Sequence, residues 1–350
     1  MSTAILRVDP GRPDPAAIAA AADVLRRGGL VAFPTETVYG LGAHALDRDA
    51  VRRLFAAKGR PAHDPLIVHV ADAEAVRPLV ASLPDVPTAL AARFWPGPLT
   101  IVLRRAPAVP DEVTAGLQTV AVRVPAHPVA HALLRAAGIP IAAPSANLFS
   151  RPSPTRAEHV LQDLDGRIDM VIDGGSTTVG VESTVLDLSG AHPVILRPGA
   201  VSADMLRALL PDVTLTANAV AAGTDAMPSP GLVPKHYSPR APLTLYTGEA
   251  SRLLARISSD ARAALHAGQR VGILVADEDR GLLPDAAQIV TVGAANDLPA
   301  IATRLYAALR ELDAAQVDRI LARGFGDDEG LGPAIADRLR RAAAGRIVLT

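Results

Sequence analysis

Two cations stand two positions apart in the segment AAKGRPAHDPLIVHV, and their spacing is compatible with a ligand-binding loop. Lys58 and Arg60 flank Gly59, and Pro61 prevents a helix from continuing because proline has no N–H to donate. Residues two apart do not share one face of a helix, whereas a loop directs both cations at one anion. A solvated helix end, with cations complementing the macrodipole, explains the same residues. Taken alone, these residues leave both interpretations open.

Small polar side chains stand at the ends of several apolar, strand-like runs. In the segment GLVAFPTETVYGLG, residues 29–42, a buried run ends at Pro34, and Thr35, Glu36 and Thr37 come next. Later runs carry further polar residues at their ends: Ser145, Asn147, Ser153, Ser183 and Arg197. One polar residue after a strand is an ordinary turn signal. Their recurrence predicts one pocket assembled from many strand ends, suited to a triphosphate and a small zwitterion.

The segment TVAVRVP alternates as a half-buried strand does. Arg123 is in phase with Ala121 and out of phase with the valines at 120, 122 and 124. An arginine on a strand ordinarily faces solvent, so Arg123 matters only if its face of the sheet lines a cleft.

A second sequence feature is typical of an anion-binding loop: Gly174 and Gly175 are followed by Ser176, Thr177 and Thr178. A turn of this composition can present successive backbone N–H groups to an anion. We therefore expect amides in this segment to be available to a ligand.

Several familiar nucleotide, metal and hydrolase motifs do not occur in the chain. There is no GxxxxGK(S/T) phosphate loop, no GxGxxG after a strand, no HExxH and no GxSxG. GFGDDEG, residues 324–330, comes nearest to GxGxxG but has the wrong spacing. His127 and His131 are four apart, yet no carboxylate ligand is evident, which argues against a zinc site. An ATP-using enzyme with this sequence needs a different kind of nucleotide pocket.

Composition limits the class of protein. The chain has 350 residues, 49% of them hydrophobic and 20% charged, which is typical of a globular protein with about two domains. The net charge of −1 argues against a protein whose main task is to grip nucleic acid. The absence of cysteine excludes disulfides, thiolate metal sites and a cysteine nucleophile, and fits a reducing compartment. With no signal pattern and no long apolar run, we expect a cytoplasmic location and no membrane partner.

Periodicity predicts alternating helices and strands on both sides of a proline-rich stretch. Asp14 and Asp47 are predicted to cap helices, residues 72–83 to be helical, and residues 139–143 to form a buried strand. Residues 217–242 lose periodicity and are rich in proline, which is typical of a stiff, extended linker.

The linker and the segment that follows it differ in kind. The linker contains Lys235, His236 and Tyr237, which a mere spacer does not need. Beyond it, strands alternate with helices, which predicts a small α/β domain with a largely parallel sheet.

Six motifs in fixed order carry a resemblance to a known family. FPTETVYGLG, KGRP, LIVHV, VAVRVP, PSAN and GVESTV together resemble the YrdC/Sua5 family, the L-threonylcarbamoyladenylate synthases, over about residues 10–205. The KHYSPRAPL linker and the α/β tail resemble the longer Sua5 form. The resemblance implies an α/β protein: a YrdC-like catalytic domain with a twisted mixed sheet (1–210), a linker and lid (211–242), and a smaller Rossmann-like domain (243–350).

The resemblance also implies a reaction. ATP, bicarbonate and L-threonine give L-threonylcarbamoyl-AMP and pyrophosphate, with Mg²⁺ accompanying the ATP. Another enzyme, a tRNA-modifying transferase, then passes the threonylcarbamoyl group to the adenosine just 3-prime of the anticodon. Because little of this needs a protein nucleophile, catalysis is expected to come from positioning and from neutralising phosphate charge.

The family's signatures assign roles to particular residues. The KxR…SxN signature implies contacts to the ATP phosphates from Lys58, Arg60, Ser145 and Asn147. The implied threonine site consists of Thr37, His69, Arg123, Ala143 and Ser183. The implied nucleotide site adds, to Arg60 and Ser145, the residues Asp64, Thr119, Ser153, Arg197 and Tyr237. Arg123 is expected to bind the substrate carboxylate through its fork of donors, and Tyr237 to belong to a lid that excludes water.

The sequence departs from the family pattern at three places. Asp64 stands where asparagine is usual, and a carboxylate facing phosphates is unfavourable unless it turns away or meets the metal. Phe149 and Ser150 alter the loop after PSANL, and Leu232–Pro234 replace a more polar and aromatic run.

Two other functions stay open at this stage. An RNA-binding module, with a basic patch begun by Arg52, Arg53, Lys58 and Arg60, is disfavoured by the neutral charge and by 3% aromatic residues. Weak RNA binding beside the enzymatic activity is compatible with these numbers. The C-terminal domain, alternatively, has a regulatory or dimerising role.

Overall fold

The chain divides into two compact units. This computed structural model describes residues 2–83, 85–216, 227, 236–326 and 329–350, the side chains of 85–87 excepted. The N-terminal unit comprises Met1–Phe149 and Ser153–Val233, and the C-terminal unit comprises Ser150–Pro152 and Pro234–Thr350. The division at residue 210 and the linker over 211–242 stay predictions, because residues 217–226 and 228–235 lie outside the described residues.

A mixed sheet of eleven strands crosses the described part of the N-terminal unit. The strands are β1 (Ala4–Arg7), β2 (Val31–Pro34), β3 (Tyr39–His44), β4 (Ile67–His69), β5 (Leu99–Arg104), β6 (Thr119–Arg123), β7 (Ile141–Ala142), β8 (Met170–Asp173), β9 (Thr184–Asp187), β10 (Val194–Arg197) and β11 (Thr214–Leu215). The sheet order is β1-β8-β2-β3-β7-β4-β6-β5-β9-β10-β11. The helices are α1 (Pro15–Arg26), α2 (Arg48–Lys58), α3 (Asp85–Phe94), α4 (Asp111–Thr114), α5 (Pro128–Ala137), α6 (Ala157–Leu164) and α7 (Ala203–Arg207).

Aspartates start two of these helices as predicted. The carboxylate of Asp14 accepts a hydrogen bond from the amide of Ala16, and that of Asp47 accepts from the amides of Asp49 and Ala50. Both side chains satisfy N–H groups that lack partners at a helix N-terminus.

Two local predictions need correction. The helix predicted over 72–83 is a 3₁₀ helix over Glu74–Leu79, and it contains Pro78, which cannot donate to a longer α-helical ladder. The strand predicted over 139–143 is shorter, because only Ile141–Ala142 forms ladder pairs with β3 and β4.

The central strands place alternate residues on opposite faces of the sheet. Val120 and Val122 of β6 face the large apolar core. Ala121, between them, belongs with Ile67, Val102 and Val185 to a small cluster on the other face. We call the face of the sheet that carries this small apolar cluster the polar face, because polar side chains surround the cluster.

The described part of the C-terminal unit contains a five-stranded sheet of order β14-β13-β15-β12-β16. Its strands are β12 (Leu243–Thr247), β13 (Val271–Val275), β14 (Gln288–Thr291), β15 (Arg319–Arg323) and β16 (Ile347–Leu349). All four pairings are parallel, as predicted. The connecting helices are α8 (Ala250–His266), α9 (Leu298–Ala314) and α10 (Gly332–Ala343), with a 3₁₀ helix over Asp277–Leu282. The predicted fold class, a mixed sheet followed by a smaller parallel α/β domain, is confirmed.

Among the described residues, none of the helices combines the length and the apolar character needed to cross a bilayer.

Candidate active site

The strand register brings several predicted site residues onto the polar face. His69 of β4 stands beside Arg123 of β6, and Arg123 lies two residues after Ala121 of the small apolar cluster. Val185 of β9 pairs with Thr100 of β5 on one side and with Arg197 of β10 on the other. Because paired residues in a sheet point to the same side, these side chains share one face although they come from distant parts of the sequence.

Arg123 is buried and makes three hydrogen bonds with the described residues. Its Nη2 donates to Glu36 Oε1 at 2.6 Å, its Nη1 to Thr37 Oγ1 at 3.1 Å, and its Nε to the carbonyl oxygen of Gly97 at 3.2 Å. A guanidinium carries five N–H groups. Two donors therefore remain for a ligand, in a fork that suits a carboxylate.

Glu36 is also buried, and its two carboxylate oxygens have different partners. Oε1 accepts from Arg123, and Oε2 accepts from the backbone amide of Ala126 at 3.1 Å. The carbonyl oxygen of Glu36 accepts from the amides of Thr178 and Val179 at 3.2 and 2.8 Å. Both the backbone and the side chain of Glu36 are thus held in place.

The expectation of available amides does not hold for Gly174, Gly175, Thr177 and Thr178, whose N–H groups donate to other residues. Gly174 N donates to the hydroxyl of Tyr39, Gly175 N to Asp173 Oδ1, and Thr178 N to the carbonyl of Glu36. These N–H groups have acceptors within the protein, so they are not available to an anion.

Lys58 ends α2 and is fully buried. Its ammonium donates to the carbonyl oxygens of Ser145 and Asn147 at 2.5 and 2.6 Å, which ties the PSAN loop to the helix end. Burial, followed by the neighbouring charge of Arg60, lowers the pKa of Lys58 well below its ordinary value. One of its three N–H groups is left for a ligand.

Two other members of the KxR…SxN signature lie in the same loop. Ser145 is half-buried, and its hydroxyl makes no hydrogen bond within the described part of the chain. Asn147 is buried, and its Nδ2 donates to the carbonyl of Leu148 at 2.6 Å. The hydroxyl of Ser145 is therefore a donor that a ligand can use.

Arg60 lies in the turn after α2 and pairs with Asp64. Arg60 Nη2 lies 2.9 Å from Asp64 Oδ1, and Arg60 also donates to the carbonyl oxygens of Asp64 and Pro65 at 3.1 and 2.8 Å. Burial raises the pKa of Asp64, and the positive charge of Arg60 opposes that rise. Asp64 Oδ2 is buried and accepts no hydrogen bond from the described residues.

Ser183 and Arg197 meet at the start of β9. Arg197 donates through Nε and Nη2 to the carbonyl oxygen of Ser183 at 3.1 and 3.0 Å, and Nη2 lies 3.2 Å from Ser183 Oγ. The hydroxyls of Ser183 and Thr100 are 2.8 Å apart. Glu182 directly precedes Ser183 in the sequence, and its Oε1 accepts a hydrogen bond of 2.5 Å from the hydroxyl of Ser153.

His69 is neutral at physiological pH. Burial, with a smaller contribution from the charge of Arg123, lowers the pKa of His69 to about 3. Its Nδ1 is buried and has no hydrogen-bond partner among the described residues. His69 is therefore placed to exchange a hydrogen bond, but not a charge, with a ligand.

The remaining predicted residues are more dispersed. Thr119 begins β6, four positions before Arg123 on the same face. Ala143 follows β7, and its amide donates to the carbonyl of Ile67 at 3.0 Å. Tyr237 belongs to the C-terminal unit, where its ring packs 5.5 Å from the ring of Tyr306 and 5.5 Å from the guanidinium carbon of Arg338.

Three polar residues of this site had no role assigned from the sequence: Glu36, which was noted only as a polar residue after a strand, Thr100 and Glu182. A signal existed for two of them, because Glu36 and Glu182 stand inside the motifs FPTETVYGLG and GVESTV. Thr100 had none, since a threonine inside PLTIVLRR looks like any β-branched strand residue.

Within the described residues, no cluster of three or more His, Cys, Asp or Glu side chains is arranged to hold a metal ion. A protein-only metal centre is therefore not part of the described site. A metal that arrives with a nucleotide needs only one or two protein ligands, and the unsatisfied Oδ2 of Asp64 is an oxygen of the type that Mg²⁺ prefers.

Comparison with known proteins shows the family to which the chain belongs. The family model of Sua5, YciO and YrdC, described as telomere recombination, matches residues 23–199, and a model described as the threonylcarbamoyl-AMP synthase C-terminal domain matches residues 201–344. The threonylcarbamoyl-AMP synthase of Bacillus subtilis is 46% identical over 95% of this chain and 94% of its own. The crystal structure of Pyrococcus abyssi Sua5 complexed with L-threonine matches with a TM-score of 0.94 and 42% identity, covering 99% of this chain and 100% of that one.

A shorter relative matches only about half of this chain. Escherichia coli YciO has a TM-score of 0.50 and 26% identity, covering 56% of this chain and 96% of its own. The second family model accounts for the remainder. The chain therefore belongs to the Sua5/YciO/YrdC family, in the form that carries the additional Sua5 C-terminal domain.

Proposed function

We infer that this chain is a threonylcarbamoyl-AMP synthase, which joins L-threonine, bicarbonate and ATP into threonylcarbamoyl-AMP and pyrophosphate. The observation that carries this conclusion is likeness along nearly the whole length to relatives of that name. The product serves the threonylcarbamoylation of adenosine in tRNA.

The threonine site lies around Arg123. Its two spare N–H groups bind the substrate carboxylate, and Thr37, His69 and Ser183 offer hydroxyl or imidazole groups beside it. The backbone at Ala143 closes the other side of this site. The small apolar cluster of the polar face, which includes Ile67 and Val102, provides an apolar surface against which the methyl group of threonine packs.

The nucleotide site lies around the KxR…SxN signature. Arg60, the third N–H of Lys58 and the hydroxyl of Ser145 contact the phosphates, while Asn147 holds the loop between them. Asp64, Thr119, Ser153 and Arg197 complete the nucleotide site.

Catalysis in this arrangement comes from position and charge. The threonine nitrogen and bicarbonate form a carbamate, a carbamate oxygen attacks the α-phosphorus of ATP, and pyrophosphate leaves. Arg60 and Lys58 neutralise the charge that develops on the phosphate oxygens, and buried surroundings strengthen that effect. No covalent intermediate between the protein and a substrate forms in these steps.

Mg²⁺ is the cofactor that we assign to the ATP phosphates. Asp64 is the residue that would hold it, because Oδ2 is a buried carboxylate oxygen without a hydrogen-bond partner. The ion would supply positive charge to the departing pyrophosphate. This assignment gives the departure from asparagine at position 64 a chemical use.

The product implies further partners. A carbamoyl adenylate is a mixed anhydride that water hydrolyses, so an acyl transferase acting on tRNA must consume it promptly. We place the enzyme with its substrates ATP and tRNA in the cytoplasm. Direct binding of RNA by this chain is expected to be weak, given its net charge of −1.

Pyrophosphate release tests the proposed function. The purified protein is expected to release pyrophosphate from ATP only when L-threonine and bicarbonate are both present. Release that does not depend on threonine contradicts the function. Tight tRNA binding with a steep salt dependence and no turnover favours the RNA-binding alternative instead.

A further inference from the structure

Arg123 and Glu36 together form a site with no net charge. Their side chains are 4% and 10% exposed and lie 2.6 Å apart. An amino acid at neutral pH is a zwitterion, with an anionic and a cationic group on the same carbon atom. A buried arginine alone would satisfy only the carboxylate, and an unpaired buried ammonium is costly.

From this geometry we propose that Glu36 binds the α-ammonium group of the substrate and accepts the proton that the nitrogen loses before it is carbamoylated. The proposal rests on the proposed function and adds a catalytic residue to it. Because both ionic groups of an amino acid stand on one carbon, a carboxylate held by Arg123 brings the nitrogen close to the group that contacts Arg123.

The other polar groups near Arg123 do not balance an ammonium charge. Thr37 contributes a neutral hydroxyl, and His69 is neutral because burial lowers its pKa to about 3. The carboxylate of Asp64 is engaged by Arg60, and that of Glu182 accepts from Ser153. Glu36 is the carboxylate in contact with Arg123 in the described part of the site.

The chemistry of carbamate formation requires a proton acceptor. An ammonium nitrogen has no lone pair, so the first step transfers one proton from R–NH₃⁺ to a Glu36 oxygen, giving R–NH₂ and a neutral carboxyl group. The amine then forms its N–C bond to bicarbonate, and the C–OH bond breaks: R–NH₂ + HCO₃⁻ gives R–NH–COO⁻ + H₂O. The leaving hydroxyl takes the second nitrogen-bound proton, and every atom and charge is accounted for.

Ligand selectivity tests the first half of the proposal. Calorimetric titration with L-threonine and with (3R)-3-hydroxybutanoate, which lacks the amino group, measures what the ammonium contributes. The wild-type protein is expected to bind threonine about tenfold more tightly, and Glu36→Gln to reduce that ratio to about two. Equal binding by the wild type, or an unchanged ratio in Glu36→Gln, overturns the proposal. The wild-type comparison stands even if the variant does not fold.

Asp279→Asn is a matched control. Asp279 forms the same kind of buried pair with Arg323, at 2.5 Å and with side chains 3% and 12% exposed, but in the C-terminal unit. This variant is expected to keep the tenfold ratio. Loss of selectivity in both variants would mean that general destabilisation, not ammonium binding, causes the effect, and would overturn the proposal.

The pH dependence of turnover tests the second half. The charged and titratable groups that face Glu36 are Arg123 on β6 and His127 at the start of α5, with His69 beside Arg123. Burial lowers the pKa of both histidines, so neither histidine changes charge between pH 7 and pH 9.5. Glu36→Gln is expected to slow turnover about 100-fold at pH 7 and about tenfold at pH 9.5, where the free amine forms in solution.

A defect of Glu36→Gln that does not vary with pH means that Glu36 only orients Arg123, and overturns the proton-accepting role. Failure of the proposed function looks different. In that case the wild-type protein itself releases no threonine-dependent pyrophosphate, whatever Glu36→Gln does.

Discussion

Each unit of the molecule contains a buried arginine–carboxylate pair at the end of a strand, and the two pairs differ in what surrounds them. Arg123 ends β6 and pairs with Glu36 in the N-terminal unit; Arg323 ends β15 and pairs with Asp279 in the C-terminal unit. Distances and burial are nearly the same. Arg123 is bordered by the hydroxyl of Thr37, whereas Arg323 lies 5.6 Å from the ring centroid of Phe325, and its Nε has no hydrogen-bond partner among the described residues.

The contrast separates a pair that serves a ligand from a pair that serves the fold. Asp279 Oδ2 accepts both from Arg323 and from the amide of Ala276, so the C-terminal pair closes the turn after β13. Arg123 keeps two donors in a neighbourhood of neutral polar groups. Burial of an ion pair alone is thus a poor sign of function; unused hydrogen-bonding capacity beside other polar side chains is a better one.

The largest expected effect is loss of turnover on removal of Arg123. Arg123→Ala is expected to lower kcat/KM for threonine about 1,000-fold, equivalent to about 4 kcal/mol, because the substrate carboxylate loses both donors and Glu36 is left unpaired. The KM for ATP is expected to change less than about threefold. Arg323→Ala, assayed at a temperature where it is folded, is the control and should retain activity. Equal losses of kcat/KM in both variants would contradict the conclusion that only the Arg123 pair serves the ligand.

The C-terminal pair is expected to matter for stability instead. Asp279→Asn leaves Arg323 buried without its counter-charge and is expected to lower the free energy of unfolding by about 3 kcal/mol. Denaturant titration followed by circular dichroism measures the loss, and kcat/KM should stay within about twofold. A stable variant with impaired turnover would assign the C-terminal pair a role in catalysis.

What the sequence predicts well is what short stretches encode. The carboxylates of Asp14 and Asp47 cap the helices that begin one residue later, and the phase of Arg123 with Ala121 follows from alternation within five residues. Contacts between distant residues are not encoded in this way. Lys58 donates to carbonyl oxygens 87 and 89 positions away, and Glu36 pairs with an arginine 87 positions away.

The failed expectation for residues 174–178 has the same origin. A run of small residues predicts exposed amides only if nothing else in the fold accepts their hydrogen bonds. Here Tyr39, 135 positions before Gly174, and Glu36, 142 positions before Thr178, provide the acceptors. Local composition correctly identified a loop but could not show what the loop contacts.

A smaller effect is expected in the pH dependence of the stability of the N-terminal unit. The pKa of His69 in the folded protein is about 3, below the ordinary value of 6.5, so the unfolded chain binds more protons between these pH values. Stability contributed by neutral His69 is present above pH 6.5 and is lost as pH falls. Between pH 7 and pH 5 the wild type is expected to lose about 2 kcal/mol more than His69→Asn. Fluorescence of Trp95, the single tryptophan, reports unfolding of the N-terminal unit. Parallel pH curves for the two proteins would contradict the buried, neutral state of His69.

The smallest expected effect concerns the hydroxyl pair of Thr100 and Ser183. Thr100→Val keeps the shape of the side chain but removes a buried hydrogen bond of 2.8 Å, which is worth about 1 kcal/mol. Ser183 Oγ then loses one of its two partners, and the KM for threonine is expected to rise about threefold with kcat nearly unchanged. Ser238→Ala removes a comparable buried hydroxyl in the C-terminal unit, where Oγ donates to the carbonyl of Ala342 at 3.3 Å. If both variants lower the melting temperature by similar amounts and only Thr100→Val raises the KM for threonine, the threonine site extends to β5. If the KM for threonine is unchanged in both variants, the site is confined to Arg123 and its immediate partners.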